Sequence, residues 1–307
     1  MEILSSDSGE RTPSECGSSD FASFSHDPER ILVLDVNSDS EASVSVPSVI
    51  DEADCFFSIS DTEAEVRPGE RMQEESQSTR DDFIEIFSRP RLIPRIVALH
   101  LCMLASMSVD ILTGFDLLLS QKRQEIMAYL RAKMPRSVML SPPCTMFSQL
   151  MNTNWARMDA AVVKQRWKEA MTLLKFSLEV AYFIMSIGGI FILEHPTGAS
   201  SWRLPEMQAL INHPDTFLVT FHQCRFGLRA PLSGFPIRKS TRLLTNSSYV
   251  AARFDHVFCK CQGPHKTIQG NEGPYKLSKY CEQYPEELCD ALLLAIQQHF
   301  DSQAHPA

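Results

Sequence analysis

Short apolar runs alternate with longer amphipathic stretches along the chain, beginning near Asp82. Short runs bounded by Pro, Gly or polar clusters predict strands, and apolar positions spaced three or four residues apart predict helices. The predicted strands are 83–87, 108–111, 137–140, 190–193, 216–221 and 241–244. The predicted helices are 92–103, 121–134, 159–187 and 285–300.

Strands that alternate with helices predict βαβ units, and therefore an α/β fold with a mostly parallel sheet. In such a sheet, ligands bind beyond the carboxyl ends of the strands. Polar or reactive side chains lie near or just after the ends of the first four predicted strands: Ser88, Asp110, Cys144 and Glu194. We expect them to share one edge of the sheet and to form a site there, although loops after strands are polar in any case.

The apolar stretch 176–193 is almost long enough to cross a membrane. It contains Glu179 and the pair Gly188–Gly189, and its helical pattern extends back into a polar run. We interpret it as a buried helix that ends at the glycines and is followed by a buried strand. We therefore expect no membrane association.

The first part of the chain, residues 1–81, differs from the rest in composition. Residues 1–80 hold 19 acidic and 5 basic side chains, with many serines and few aromatic residues. Such a segment buries too little apolar surface to offset the entropy cost of folding, so we expect a disordered, Ser-rich acidic tail. Its apolar patches at 31–36 and 44–50 are candidate partner-binding segments, and a solvated tail is the simpler interpretation.

The predicted folded part holds the remaining 19 acidic and 24 basic side chains, so it is mildly basic although the whole chain has a net charge of −9. A basic surface is compatible with a phosphate backbone, and also with an ordinary solvated surface. The nine cysteines form no paired framework, and residues 1–20 lack the apolar core of a signal peptide. We expect reduced thiols and an intracellular location.

Cys144 follows two prolines in a loop that leaves the third predicted strand. Proline fixes its own backbone and restricts the residue before it, so this loop presents a thiol on a rigid segment. A nucleophilic cysteine requires such a position. The alternative is a structural cysteine that packs as a small apolar side chain.

Glu194 directly follows the apolar run 190–193. An acid in that position is costly to bury unless it has partners or a function. One interpretation is a carboxyl group whose pKa is raised by burial, so that it can donate a proton. The other is a helix N-cap or an ion pair in a loop.

Together these two segments resemble the cytosine-C5 DNA methyltransferase family. The stretch Ser-Pro-Pro-Cys-Thr-Met-Phe-Ser at 141–148 is similar to the family's Pro-Cys-x-x-Phe-Ser motif, and Glu-His-Pro at 194–196 is similar to its Glu-Asn-Val motif. Gln-Cys-Arg at 223–225 resembles its Gln-x-Arg motif. The resemblance covers about residues 82–300 and is greatest to divergent members encoded by mobile elements.

The resemblance implies a Rossmann-like class I methyltransferase sheet with helices on both faces. It implies that Cys144 attacks cytosine, that Glu194 binds the edge of the base and protonates it, and that Arg225 stabilises the transition state. The catalytic core would span 82–227, and residues 228–307 would add target-contacting loops and the closing helix. The implied partner is DNA with a flipped base, which suggests a nuclear location, and RNA fits the same residues.

S-adenosylmethionine is the cofactor that the resemblance implies. Phe87 and Ser88 match its first binding turn, Asp110 the acid that binds ribose, and Asp116 the acid near the adenine, while Pro142 lies in the nucleophile loop. The family's turn reads Phe-x-Gly-x-Gly, whereas this chain has Phe-Ser-Arg-Pro-Arg. Glycine allows a close approach of backbone to ligand, so its absence favours the alternative of a catalytically silent nucleic-acid-binding relative.

An unrelated thiol enzyme is a third interpretation of the same residues. In a hydrolase of that kind, a histidine would activate Cys144 as a general base. His195 and His222 are the candidates. Such an enzyme would act without an added cofactor.

A separate segment carries Cys259, Cys261 and His265, with His256 just before it. Cysteine and histidine at such spacing can bind zinc. Two ligand types on one short loop do not make a site alone, and only Cys281 or Cys289 suggests itself as a fourth ligand. We therefore favour ordinary loop residues over a zinc site.

Overall fold

The computed structural model describes residues 80–152 and 154–304, so nearly all of the predicted acidic tail, with its two apolar patches, lies outside the described residues. Six strands form one sheet. They are β1 (Phe83–Ile86), β2 (Ala105–Val109), β3 (Ser137–Leu140), β4 (Ile190–Pro196), β5 (Phe217–His222) and β6 (Ser240–Thr245). A small ribbon pairs β7 (Asn271–Glu272) with β8 (Tyr275–Lys276).

Eight α-helices accompany the strands in the part of the chain that is described. They are α1 (Leu92–Ala98), α2 (Ser120–Lys133), α3 (Gln149–Asn152), α4 (Ala160–Ser186), α5 (Pro205–Ile211), α6 (Ser248–Phe254), α7 (Leu277–Tyr280) and α8 (Glu286–Ala304). Short 3-10 turns follow several strands, among them Thr145–Phe147 and Gln223–Phe226.

The strand order in the sheet is β2-β1-β3-β4-β6-β5. The four strands from β2 to β4 are parallel neighbours, and β6 runs antiparallel to both β4 and β5. Five strands therefore share one direction, with a single reversed strand between the last two. The predicted α/β fold with a mostly parallel, Rossmann-like sheet is confirmed.

Both faces of the sheet are covered by helices, because alternate strand residues enter two different apolar clusters. Ile84 and Ile86 belong to a cluster that includes side chains of α2, α4 and α5. Phe83 belongs to a second cluster with side chains of α1, α6 and α8. The strands are consequently buried on both sides, as is usual for parallel sheets.

Strand β2 lies on one side of β1 in the sheet, and the next strand along the chain, β3, lies on the other side. The connection from β1 to β2 passes through α1 on one face, and the connection from β2 to β3 passes through α2 on the opposite face. Such a switch point opens a crevice beyond the carboxyl ends of the two strands. The loops after β1 and β3 border this crevice.

Two predicted elements differ from the structure near β2. The helix predicted for 92–103 ends at Ala98, because the backbone of His100 turns into the left-handed region, with φ 51°. The strand predicted for 108–111 is shifted to Ala105–Val109. Asp110 instead caps the following turn, since its carboxylate accepts the N–H of Leu112 and its own N–H donates to Thr113. Local side-chain hydrogen bonds of this kind compete with a strand.

The fourth strand is longer than predicted. Glu194 was expected just beyond it, but Glu194 and His195 lie within β4 and pair with Leu243 and Arg242 of the reversed strand β6. The pairing with β6 continues β4 past the point where its apolar run ends.

The stretch 176–193 has the structure that its sequence predicts. α4 ends at Ser186 and is followed, after Gly188 and Gly189, by the buried strand β4. Asp159 caps the helix by accepting the N–H groups of Ala161 and Val162. Among residues 80–152 and 154–304, no helix combines the length and apolarity needed to cross a membrane.

Glu85 is fully buried in the middle of β1. Its carboxylate accepts hydrogen bonds from the N–H of Arg91 at 3.0 Å and from the hydroxyl of Ser108 at 2.7 Å, with the N–H of Leu92 at 3.5 Å. Burial raises the pKa of this carboxyl, and the three donors oppose that shift. The side chain thereby ties the turn after β1 and the neighbouring strand β2 to the sheet.

We expect Glu85→Ala to lower the free energy of unfolding by about 2–4 kcal/mol, because it leaves buried donors without an acceptor. Urea unfolding followed by circular dichroism measures the loss. Glu125→Ala is the matched control, since Glu125 makes only a surface ion pair with Lys122 and should change stability little. Equal stabilities of the two variants would contradict the role given to Glu85.

Candidate active site at the carboxyl edge of the sheet

The loop after β3 holds Cys144 at the carboxyl edge of the sheet. The N–H of Ser141 still donates to the carbonyl of Ile86 at 3.1 Å, so the loop leaves the sheet next to β1. Pro142 is buried and Cys144 is partly buried at the start of the turn Thr145–Phe147. The carbonyl of Cys144 accepts the N–H of Phe147, which fixes the backbone that follows Cys144.

His195 fastens this loop to β4. Its Nε2 lies 3.0 Å from the carbonyl oxygen of Pro142, and its Nδ1 lies 2.7 Å from the hydroxyl of Ser201. A carbonyl can only accept, so Nε2 carries the proton and Nδ1 accepts from Ser201. Burial lowers the pKa of His195 to about 4, which keeps the ring neutral. Both nitrogens are thus engaged, one with Pro142 and the other with Ser201, and neither is hydrogen-bonded to Cys144.

Glu194 lies beside the loop because Leu140 at the end of β3 pairs with Leu193 in β4. The hydroxyl of Tyr284 donates to its Oε2 at 3.1 Å, and the ammonium of Lys239 lies 3.9 Å from its Oε1. Oε1 is buried and accepts no hydrogen bond from the described residues. The carboxylate is therefore held on one side and retains an oxygen that can accept a hydrogen bond from a ligand.

Tyr284 connects the two strand ends. Its oxygen lies 2.9 Å from the hydroxyl of Ser141, and its single proton goes to Glu194, so Ser141 donates to Tyr284. Burial raises the pKa of Tyr284 well above its usual value, with a further contribution from the charge of Glu194. The phenol consequently remains a neutral donor, and the chain Ser141–Tyr284–Glu194 fixes the orientation of the carboxylate.

The Cys144 thiol lies within electrostatic reach of Glu194 and Lys239. Burial raises the pKa of the thiol to about 11; the negative charge of Glu194 adds to this shift and the positive charge of Lys239 opposes it. At neutral pH the sulfur is therefore a protonated thiol. Any process that neutralises Glu194 would leave Lys239 as the dominant charge and lower the pKa of the thiol.

Arg225, the third predicted catalytic residue, lies in the turn that follows β5 and is exposed. No hydrogen bond or ion pair among the described residues joins it to Cys144 or Glu194. Its neighbour Gln223 is fully buried and donates to the hydroxyl of Thr241 at 3.0 Å. The turn is thus anchored to β6 while the guanidinium group remains available to a ligand.

The turn after β1 keeps an unusual backbone conformation without a glycine. Phe87 has a φ of 62°, in the left-handed region that glycine adopts most easily. Its N–H donates to the carbonyl of Val109 at 2.7 Å, and its ring packs edge-on against Phe176. Ser88 is buried, and its hydroxyl donates to the carbonyl of Arg89.

The two predicted cofactor acids lie on the loop after β2. The side chain of Asp110 caps the turn through the N–H groups of Leu112 and Thr113. Asp116 accepts the N–H of Leu118 at 3.0 Å and lies in the loop before α2. A carboxylate at the end of β2, next to a left-handed turn at the end of β1, fits the ribose and backbone contacts of a nucleoside cofactor.

Three cysteines and one histidine outside this site converge at a second place. Cys259, Cys261 and His265 lie with Cys224 so that their ligand atoms are all within 4.8 Å of one another. The prediction of Cys281 or Cys289 as a fourth ligand is wrong, because these two cysteines are buried in separate apolar clusters. The fourth member of the group is instead Cys224, which lies in the Gln-Cys-Arg segment. The sequence analysis assigned a role in that segment only to Arg225.

His222 belongs to this second place and not to the thiol of Cys144. Its Nδ1 accepts the N–H of Cys259 at 3.0 Å, and its ring stacks at a tilt on Phe258. With His195 bound to Pro142, neither histidine of the thiol-hydrolase interpretation is hydrogen-bonded to Cys144.

Two residues of the site, Lys239 and Tyr284, escaped the sequence analysis, and so did the buried Glu85 of β1. Lys239 precedes β6, and the lack of a predicted helix between β5 and β6 was a signal that β6 runs antiparallel and starts at this edge. Tyr284 stands just before the closing helix, and nothing local marks it as a partner of Glu194. Glu85 interrupts the alternation of β1, which is a weak signal by itself.

We predict that Glu194→Gln speeds the alkylation of Cys144 by iodoacetamide at pH 8 about threefold or more, because the variant removes a charge that raises the pKa of the thiol. Lys239→Met should slow the reaction for the opposite reason. Mass spectrometry of the peptide that contains Cys144 gives the rate.

Glu282→Gln is the control for this experiment. Glu282 is exposed and has the smallest effect among the groups that act on Cys144, so its removal should leave the rate nearly unchanged. Equal rates for Glu194→Gln and Glu282→Gln would show that Glu194 does not control the thiol.

Comparison with known proteins gives limited similarity. No family model matches the sequence, and no curated protein matches it. Among solved structures, the chain is similar to the crystal structure of the S. pombe Dnmt2 methyltransferase, with a TM-score of 0.30 and 12% sequence identity. The match covers 54% of this chain and 50% of that one, so it spans about half the length of that protein.

Proposed function

We propose that this protein transfers a methyl group from S-adenosylmethionine to C5 of cytosine in DNA, through a covalent bond between Cys144 and the base. The observation that supports it most is the convergence of the Cys144 thiol and the Glu194 carboxylate at adjacent strand ends. The site lies beside the switch point of the sheet. A reversed strand between the last two parallel strands, as formed by β6, is also the arrangement of class I methyltransferase sheets.

The chemistry assigns separate roles to the residues of the site. C5 of cytosine is a poor nucleophile, and addition of the Cys144 sulfur to C6 makes C5 enamine-like. Glu194 donates a proton to N3 as electron density moves onto that nitrogen, and Arg225 stabilises the developing charge. Bound S-adenosylmethionine would supply an electrophilic methyl group for C5. Loss of the C5 proton to solvent, cleavage of the S–C6 bond and return of the N3 proton to Glu194 then release the methylated base and leave Cys144 as a thiolate.

The electrostatics of the site link base binding to activation of the thiol. Without a base, the charge of Glu194 raises the pKa of Cys144. A base whose N3 faces Oε1 favours the protonated form of Glu194, because a carboxylate would repel the lone pair of N3. Glu194 therefore takes up the proton that it later donates to N3, and its unfavourable charge is absent while Lys239 remains. The Cys144 thiol is then easier to ionise, so the thiolate forms while a cytosine occupies the site.

Tyr284 and Lys239 are positioning residues in this proposal. Tyr284 orients Oε2 of Glu194, and Lys239 lies near Oε1 while donating to the carbonyl of Cys281 at 3.0 Å. These contacts restrain the orientation of the Glu194 carboxylate. Preorganisation of this kind lowers the cost of reaching the transition state.

The residues at the ends of β1 and β2 would hold the cofactor. The left-handed backbone at Phe87 gives the turn its shape, Ser88 is buried next to it in sequence, and Asp110 offers a carboxylate to ribose hydroxyl groups. Pro142 lies beside them in the loop after β3 and is locked by His195.

A catalytically silent nucleic-acid-binding protein is the second candidate. Two observations favour it: the thiol is protonated in the free protein, and Arg89 and Arg91 stand where the family's cofactor turn has glycines. This candidate predicts binding to oligonucleotides without binding of the cofactor.

We expect the chain to form a covalent adduct with a DNA oligonucleotide that contains 5-fluorocytosine, when S-adenosylmethionine is present. Fluorine at C5 cannot leave as a proton does, so the Cys144–C6 bond persists. The adduct is measured by denaturing gel electrophoresis and by mass spectrometry of the linked peptide.

Variants separate the roles in this trapping experiment. Cys144→Ser should abolish the adduct, Glu194→Gln should reduce it at least about a hundredfold, and Cys102→Ser, at an exposed cysteine outside the site, should leave it unchanged. An adduct on RNA alone would contradict the DNA substrate, and its absence on both nucleic acids would overturn the proposal.

Cofactor binding distinguishes the two candidates directly. We expect labelled S-adenosylmethionine to bind the full chain, and Asp110→Asn to weaken binding about tenfold by removing a charged acceptor. Asp215→Asn, at an exposed aspartate before β5, is the control. Equilibrium dialysis measures both, and a chain that binds DNA but not the cofactor would favour the silent candidate.

A further inference from the structure

We propose that Cys224, Cys259, Cys261 and His265 bind one structural zinc ion. Their ligand atoms all lie within 4.8 Å of one another, and Sγ of Cys259 lies 3.1 Å from Nε2 of His265. In a tetrahedral zinc site, neighbouring ligand atoms are about 3.6–3.8 Å apart. The four atoms therefore already outline the coordination shell of a single ion.

The ligands come from two segments that are distant in sequence. Cys224 lies in the turn after β5, whereas the other three lie in the loop after α6. β6 and α6 separate the two segments, so the convergence results from the tertiary fold and not from the geometry of one loop. Cys224 is buried and the other three ligands are partly buried, so the group lies close to the protein surface.

The backbone around the cluster supports thiolate ligands. Sγ of Cys259 accepts the N–H of Cys261 at 3.3 Å, and the N–H of Cys259 is itself held by Nδ1 of His222. Outer hydrogen bonds of this kind orient ligands in metal sites. Three thiolates and Zn²⁺ carry a net charge of −1, and the positive charge of Arg238 acts on Cys259.

The donor set selects the type of ion. Thiolates and imidazole are soft or borderline ligands that suit zinc, whereas magnesium and calcium require oxygen ligands. Four protein ligands fill a tetrahedral shell and leave no position for water, as in structural zinc sites. The site is therefore expected to stabilise the fold and not to catalyse a reaction.

The ion would join the loop 257–265 to the turn that carries Arg225. Cys224 directly precedes Arg225, so the metal fixes the backbone from which that side chain extends. This consequence for Arg225 rests on the proposed function, whereas binding of the ion does not. The binding free energy of a structural metal contributes directly to folding free energy.

The first test measures metal content. We expect the full chain, expressed with zinc in the medium and purified under reducing conditions, to contain about one zinc per chain by inductively coupled plasma mass spectrometry. Cys224→Ser and Cys261→Ser should each lose at least about nine tenths of it. Cys102→Ser and Cys144→Ser should retain it, since both cysteines lie outside the cluster.

Cobalt spectra and proteolysis keep the test informative if a serine variant folds poorly. Cys261→His preserves a four-ligand shell, so it should bind Co²⁺ with tetrahedral bands shifted from those of the original chain. Removal of the metal by a chelator should expose Lys260, which lies between two ligands, to trypsin. Cleavage after Lys266, mapped by mass spectrometry, reports on the other end of the loop.

Three outcomes would overturn the zinc site. They are a chain that holds no metal and gives no tetrahedral cobalt spectrum, a chain that holds iron instead, and a disulfide between two of the three cysteines in the freshly purified protein. The proposed function fails separately, when a chain fully loaded with zinc forms no adduct with 5-fluorocytosine DNA.

Discussion

The antiparallel pairing of β4 with β6 determines the geometry of the candidate active site. It extends β4 beyond its apolar run, so that Glu194 and His195 are held in a strand and not in a loop. It also brings the start of β6 to the carboxyl edge of the parallel strands, which places Lys239 beside Glu194. Without the reversed strand, the carboxylate would lack both its rigid backbone and its cation.

A few interactions then convert this framework into a chemical site. His195 is neutral and locks the loop of Cys144 through Pro142, while Tyr284 fixes the carboxylate from the beginning of the closing helix. The thiol, carboxylate and ammonium groups form one electrostatic unit in which each charge affects the others. A site assembled from β3, β4, β6 and the segment before α8 requires the whole sheet to be in place.

The sequence predicted the parts that depend on local pattern. β3 was predicted to the residue, α4 and its cap within one residue, and Cys144 and Glu194 were expected at one edge because both follow parallel strands. The parts it missed depend on contacts between distant segments. Tyr284 meets Glu194 across 90 residues of sequence, and Cys224 meets Cys259 only after β5 and the loop after α6 come together. No local spacing encodes such partners.

The raised pKa of Cys144 has a consequence for the survival of the protein as well as for its reactivity. Oxidants such as hydrogen peroxide react with thiolates far faster than with thiols, and repeated oxidation of a cysteine is irreversible. A thiol that stays protonated is protected from this damage. Burial, and after it the charge of Glu194, therefore shields Cys144 from oxidation.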